Sequence, residues 1–88
     1  MYSIELSKDA VDFLDDLRDK KIQKQLLNAI EALGTNQKPS GCKKLEGVEN
    51  LWRVRKGDYR IVYQILGTRL VILVVRIGHR KEVYKKLR

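Results

Sequence analysis

From Tyr2 to Leu6 apolar and polar residues alternate, the period of a strand with one buried face. Ser7 then stands where a helix N-cap belongs, and Ala10, Phe13, Leu14 and Leu17 recur at i, i+3, i+4 and i+7, which predicts a helix with one apolar face. After Asp19-Lys20-Lys21 a second stripe of Ile22, Leu26, Ala29, Ile30 and Leu33 predicts a second helix, with Gly34 placed to close it as a C′ residue. The short join makes the two an antiparallel helical hairpin. Lys38-Pro39-Ser40-Gly41 is a loop, and beyond it the helical period gives way to alternation. Leu51 to Arg55 and Tyr59 to Ile65 alternate, whereas Leu70 to Ile77 is apolar on both faces, the mark of a central strand covered on each side. Turns at Lys56-Gly57-Asp58 and Gly67-Thr68 join these three into a meander, and Lys81 to Leu87 can add a short helix with Val83 and Leu87 inward. The predicted fold class is α+β: an N-terminal strand, a helical hairpin, an antiparallel three-stranded meander and a short C-terminal helix, with the helices packed on one sheet.

A length of 88 residues accommodates one core, so residues 1–88 are expected to form a single domain. Hydrophobic residues at 43% exclude a disordered chain, and the longest apolar run, Leu70 to Val75, is far short of the roughly 20 residues of a membrane span. The N-terminus lacks the basic start and apolar stretch of a secretory signal, which makes the cytoplasm the expected location and leaves no membrane partner. A lone cysteine, Cys42, forms no intrachain disulfide and lacks the company a zinc site needs. The balance of 19 Lys and Arg against 11 Asp and Glu gives +8, which points to a polyanion or an acidic protein as partner. Bases dominate from Lys38 onward, so the anion site belongs to the C-terminal half.

The register of the first hairpin sharpens this. A loop of even length, centred on Lys56-Gly57 or Gly57-Asp58, puts Trp52, Val54, Tyr59 and Ile61 on one face and Arg53, Arg55 and Arg60 on the other. An odd loop would set Arg60 among the apolar residues, where an unpaired guanidinium costs several kcal/mol or more. The even register therefore wins, and three arginines share a face despite mutual repulsion of the order of 0.2 to 1 kcal/mol for each facing pair. For the second hairpin an odd loop brings Arg76 to that face and an even one does not, so Arg76 stays outside the core site.

Arg76-Ile77-Gly78-His79-Arg80-Lys81-Glu82-Val83-Tyr84, taken with Leu45-Glu46-Gly47, Leu51-Trp52-Arg53-Val54-Arg55 and Gly57-Asp58-Tyr59-Arg60-Ile61-Val62-Tyr63, resembles the RelE family of toxins from bacterial and archaeal type II toxin-antitoxin pairs. Length and element order agree over essentially the whole chain. The resemblance implies a ribosome-dependent endoribonuclease that enters the ribosomal A site and cuts messenger RNA there, inhibiting translation. It also implies an acidic, RelB-like antitoxin that covers the active site and carries whatever operator-DNA contact occurs.

In that family a ribose 2′-hydroxyl attacks the adjacent phosphate, leaving a cyclic phosphate and a free 5′-hydroxyl, with no metal or other cofactor. Carried over position by position, Arg60 matches the arginine that contacts the scissile phosphate, Arg80 a second arginine, and Tyr84 the tyrosine that stacks on a base or orients the nucleophile. Arg53 and Arg55 stand where well-known members have lysines. Arginine, with a pKa above about 12, stays charged, so these two read as phosphate clamps and not as general bases. His79 and Tyr84 are the remaining titratable candidates, and the base is unassigned between them. The reading requires these guanidinium groups to converge beside the imidazole of His79 and the phenol of Tyr84. Plainer roles stand beside it: Trp52, Tyr59 and Tyr63 read as core packing, and Lys81, Lys85, Lys86 and Arg88 as a solvated basic helix end. The alternative function is a ParE-like toxin of the same fold, which inhibits DNA gyrase without cutting RNA.

Overall fold

The computed structural model describes residues 1–79. The helix predicted over Lys81 to Leu87 lies outside them, as do Arg80 and Tyr84. The elements run β1 (Ser3–Leu6), α1 (Lys8–Asp16), α2 (Lys20–Ala32), β2 (Lys43–Lys44), β3 (Leu51–Lys56), β4 (Tyr59–Leu66) and β5 (Val71–His79). Both helices pack on one face of a single five-stranded sheet of order β1-β5-β4-β3-β2, in which β1 runs parallel to β5 and the other pairs are antiparallel. The α+β architecture expected from the sequence is what forms.

Local chemistry explains the boundaries. Ser7 caps α1 by accepting from the Ala10 N–H at 3.1 Å, and its hydroxyl donates to the Val75 carbonyl at 2.6 Å, which ties the start of the helix to β5. Asp19 caps α2 by accepting from the Lys21 and Ile22 N–H groups. Ala10 and Leu14 of α1 with Leu26, Ile30 and Leu33 at and beyond α2 meet Ile61, Tyr63, Ile72, Val74 and Ile77 of the sheet, so the core lies between helices and sheet. Trp52 and Tyr59 pack against it, and Tyr63 is buried in it, as the plainer reading of these aromatics expected. The Tyr63 hydroxyl donates to the Gln37 carbonyl at 2.7 Å.

Gly34 stands at C′ of α2 as expected, but not in the conformation that usually calls for glycine there. Its backbone is not left-handed, and Leu33 ends α2 in the ordinary helical region. Glycine is needed for a different reason: a Cβ there would stand 2.9 Å from the Tyr2 carbonyl oxygen. The Tyr2 N–H donates to the Gly34 carbonyl at 2.8 Å, so the end of α2 and the chain entering β1 touch backbone to backbone. The pairing of β1 with β5 and the two-residue β2 were not predicted, because neither a parallel partner nor so short a strand leaves a periodic signal.

A basic sheet face as candidate functional site

The β3–β4 hairpin has a two-residue loop, Gly57-Asp58, with Lys56 opposite Tyr59. Gly57 takes φ +60° at the first loop position, the conformation a type II′ hairpin turn demands of glycine. The even register follows. Val54 faces Ile61 and Trp52 faces Tyr63 on the helix side, while Arg55 stands directly opposite Arg60, and Arg53 opposite Val62, on the far side. Arg53 and Arg60 are half-buried and Arg55 is exposed. Arg55 folds back so that its Nε donates to the Gly57 carbonyl at 3.1 Å.

The next strand adds a residue the sequence left undecided. The β4–β5 turn is even, since Leu66 pairs with Val71, and without interruption Arg76 would point into the core. A bulge intervenes. Tyr63 pairs with Val74 but Val62 pairs with Arg76, so Val75 is the extra residue and every side chain beyond it changes face. Arg76 thereby joins the arginine side and Ile77 enters the core. In the structure Ile72 and Val74 keep one parity and Ile77 the other, but a run apolar on both faces hides that change of phase in the sequence.

Arg76 is not equivalent to the other three. Its guanidinium reaches Asp9 on α1 at 2.6 Å, with 18% of its side chain exposed and its Nε buried without a partner. The second ion pair among the described residues joins Lys8 to Asp12 on α1. Arg53, Arg55 and Arg60 are in neither. Gly78 sits opposite Arg60 and is buried.

His79 falls elsewhere. It pairs with Tyr59, on the helix side of the sheet, with its ring edge-on to Tyr59 at 5.2 Å, and Tyr59 in turn meets Phe13 at 5.9 Å. The expected convergence of His79 with the arginines therefore does not occur. The physical reason is the two-residue period, since Gly78 occupies the far face and the next residue must take the other. The described part of the site is thus Arg53, Arg55 and Arg60 together, with Arg76 beside them under the hold of Asp9.

The strength of this arrangement is electrostatic. Facing residues on adjacent strands have Cβ atoms about 4.5 to 5.5 Å apart, so the Arg55–Arg60 pair concentrates two positive charges, neither of them in an ion pair among the described residues. Planar guanidinium groups can bind phosphate oxygens in bidentate fashion, so the face has the chemistry to receive a phosphate.

Two helices packed on one face of a mixed sheet whose other face is basic define a class of small α+β proteins, and comparison with known proteins narrows it. The sequence profile of the ParE toxin of type II toxin-antitoxin systems matches residues 4–84. A candidate RelE1 toxin from Methanocaldococcus jannaschii is 31% identical over 87 residues, covering 96% of each chain. A candidate RelE-like toxin from Escherichia coli is 31% identical over 83 residues, covering 91% of this chain and 84% of its own. Among solved structures, the Pyrococcus horikoshii RelE in complex with RelB superposes with a TM-score of 0.79 at 28% identity, covering 91% of this chain and 96% of that one. The E. coli RelE of the intact RelBE complex shares the fold at a TM-score of 0.78 and 19% identity, covering 92% of this chain and 99% of its own. The chain belongs to the RelE/ParE family of type II toxin-antitoxin toxins.

Proposed function

We propose that this toxin is a ribosome-dependent, metal-independent endoribonuclease that cuts messenger RNA in the A site and so inhibits translation. The observation that carries the reading is the facing Arg55–Arg60 pair with Arg53 on one sheet face, none of them in an ion pair among the described residues, an arrangement that costs stability unless an anion occupies it. In the reaction the 2′-oxygen forms a bond to phosphorus and releases its proton. The bond from phosphorus to the 5′-oxygen breaks, and that oxygen gains a proton, giving a cyclic phosphate and a 5′-hydroxyl. The phosphorane carries more negative charge than the diester, so guanidinium groups already in place stabilise it more than the substrate. Arg60, with Arg55 and Arg53 as clamps, would hold the phosphate, and Arg80 and Tyr84 would complete the site as the family match implies. His79, on the other side of the sheet, would take no part in holding the phosphate. Ribosomal positioning of the RNA in an attack geometry would supply much of the remaining rate.

The partner that keeps the toxin in check would be a cognate acidic antitoxin, RelB-like in kind. Support comes from relatives solved as RelE–RelB complexes from P. horikoshii and M. jannaschii. With +8 on this chain, their association should weaken as salt rises.

The match to the ParE profile keeps a second reading in view, inhibition of DNA gyrase without RNA cleavage. A translation extract treated with the purified protein separates the two. Primer extension on the messenger should show discrete cuts that are absent from ribosome-free RNA, lost with Arg60→Ala and Arg80→Ala, and retained with His79→Ala. Intact messenger during arrest, or DNA breaks with full tolerance of Arg60→Ala, would overturn the ribonuclease assignment.

A further inference from the structure

The basic face does not stop at the hairpin. The edge strand β2 pairs with β3 so that Lys43 stands opposite Arg53, and Lys44 opposite Trp52. Trp52 packs against the core on the helix side, so Lys43 is on the arginine face and Lys44 on the other. Lys43, Arg53, Val62 and Arg76 thus form one row across four strands, and Arg55, Arg60 and Gly78 form the next. The two ends of the first row differ. Toward β5 the charge of Arg76 is met by Asp9, whereas toward β2 Lys43 is exposed and in neither ion pair among the described residues.

We infer that Lys43 extends the phosphate site into a track, along which a single RNA strand runs from β4 across β3 to the β2 edge. From Arg60 to Lys43 is two strand spacings sideways and two residues along, a backbone separation of about 12 Å. That distance suits successive phosphates of one strand better than a shared one, so Lys43 takes a phosphate beyond the one held by Arg55 and Arg60. The strand leaves over β2 and not over β5, because Asp9 cancels the attraction on that side. This path rests on the proposed ribonuclease function.

Lys43 and Lys44 supply a matched test: adjacent, both exposed, equal in charge and on opposite faces. Affinity for a labelled oligoribonucleotide, 2′-O-methylated so that it cannot be cut, is measured across a salt series for wild type, Lys43→Ala and Lys44→Ala. Each phosphate contact on a single strand contributes about 0.7 to the slope of log affinity against log salt. Lys43→Ala should lower the slope by about that amount and weaken binding, and Lys44→Ala should leave both as in wild type. Equal losses in the two variants, or an unchanged slope in Lys43→Ala, overturn the track. If wild type cuts messenger in the translation extract but shows no salt-dependent binding here, the track alone falls. If it neither cuts nor binds, the ribonuclease reading falls with it.

Discussion

Replacing Arg55 with glutamate should make the protein more stable while abolishing its use of RNA. Arg55 and Arg60 face each other directly across β3 and β4, and like charges in that position destabilise by about 0.2 to 1 kcal/mol. Removing the repulsion recovers that amount, and the opposite-charge pair formed in its place adds a similar one, for a sum of about 0.4 to 2 kcal/mol. Two effects pull it toward the lower half: Arg55 is exposed, so water screens the pair, and its hydrogen bond to the Gly57 carbonyl is lost. A net gain of about 0.5 to 1 kcal/mol remains, which in a domain of this size raises the melting temperature by roughly 2 to 8 °C. Thermal unfolding followed by circular dichroism, for wild type, Arg55→Gln and Arg55→Glu, should place the glutamine variant between the other two. The differences should shrink in about 1 M salt, where the Debye length falls to about 3 Å. The same Arg55→Glu variant should lose messenger cleavage. A glutamate variant no more stable than wild type at low salt would show that the two guanidinium groups do not repel, and would remove the reason for assigning an anion to this face.

Three further outcomes test the scaffold. Ser7→Ala removes both the α1 cap and the bond to the Val75 carbonyl at the bulge, so urea unfolding should show a loss of about 1 to 2 kcal/mol, with no loss if the cap is dispensable. Gly34→Ala forces a Cβ to within 2.9 Å of the Tyr2 carbonyl; a destabilisation of about 1 to 3 kcal/mol by urea unfolding is expected, and a neutral result would mean that β1 shifts freely. Tyr63→Phe gives up the hydrogen bond to the Gln37 carbonyl and should cost about 1 kcal/mol at neutral pH. Burial first, and the neighbouring Cys42 thiol second, push the Tyr63 phenol well above its ordinary value. The unfolded chain therefore releases this proton first as pH rises through about 10, and wild-type stability falls by up to about 1.4 kcal/mol per pH unit above that point, until the folded-state phenol itself ionises. Tyr63→Phe lacks that contribution, so the gap between the two proteins should close at alkaline pH; a constant gap would contradict the burial of the phenol.

Much of the fold could be read from periodicity. Ala10 and Leu14 on α1, Leu26 and Ile30 on α2, and Trp52, Val54, Ile61 and Tyr63 in β3 and β4 all point where the structure has them, because the face each element turns to the main core imposes its period on the chain, although Leu51 and Val62 are also buried on the arginine side. The same holds for the trio Arg53, Arg55 and Arg60, since placing a guanidinium in the core costs more than placing three of them together on the far side. Gly34 was legible as a glycine of consequence but not for its true reason, which is the close approach of a segment some 30 residues away in the chain.

The sequence by itself therefore determined the types of β1, α1, α2, β3, β4 and β5, the face of the sheet that carries Arg53, Arg55 and Arg60 and the charge that calls for an anion, because each is set by the local period and the cost of burying charge. Tertiary structure alone decided that β1 docks parallel to β5, that the Val75 bulge turns Arg76 to the arginine side under the control of Asp9, that His79 faces the helices, and that Lys43 continues the basic row. Those are matters of strand register between segments distant in the chain. A shift of one residue there reverses every side chain beyond it, and no pattern within a single segment records it.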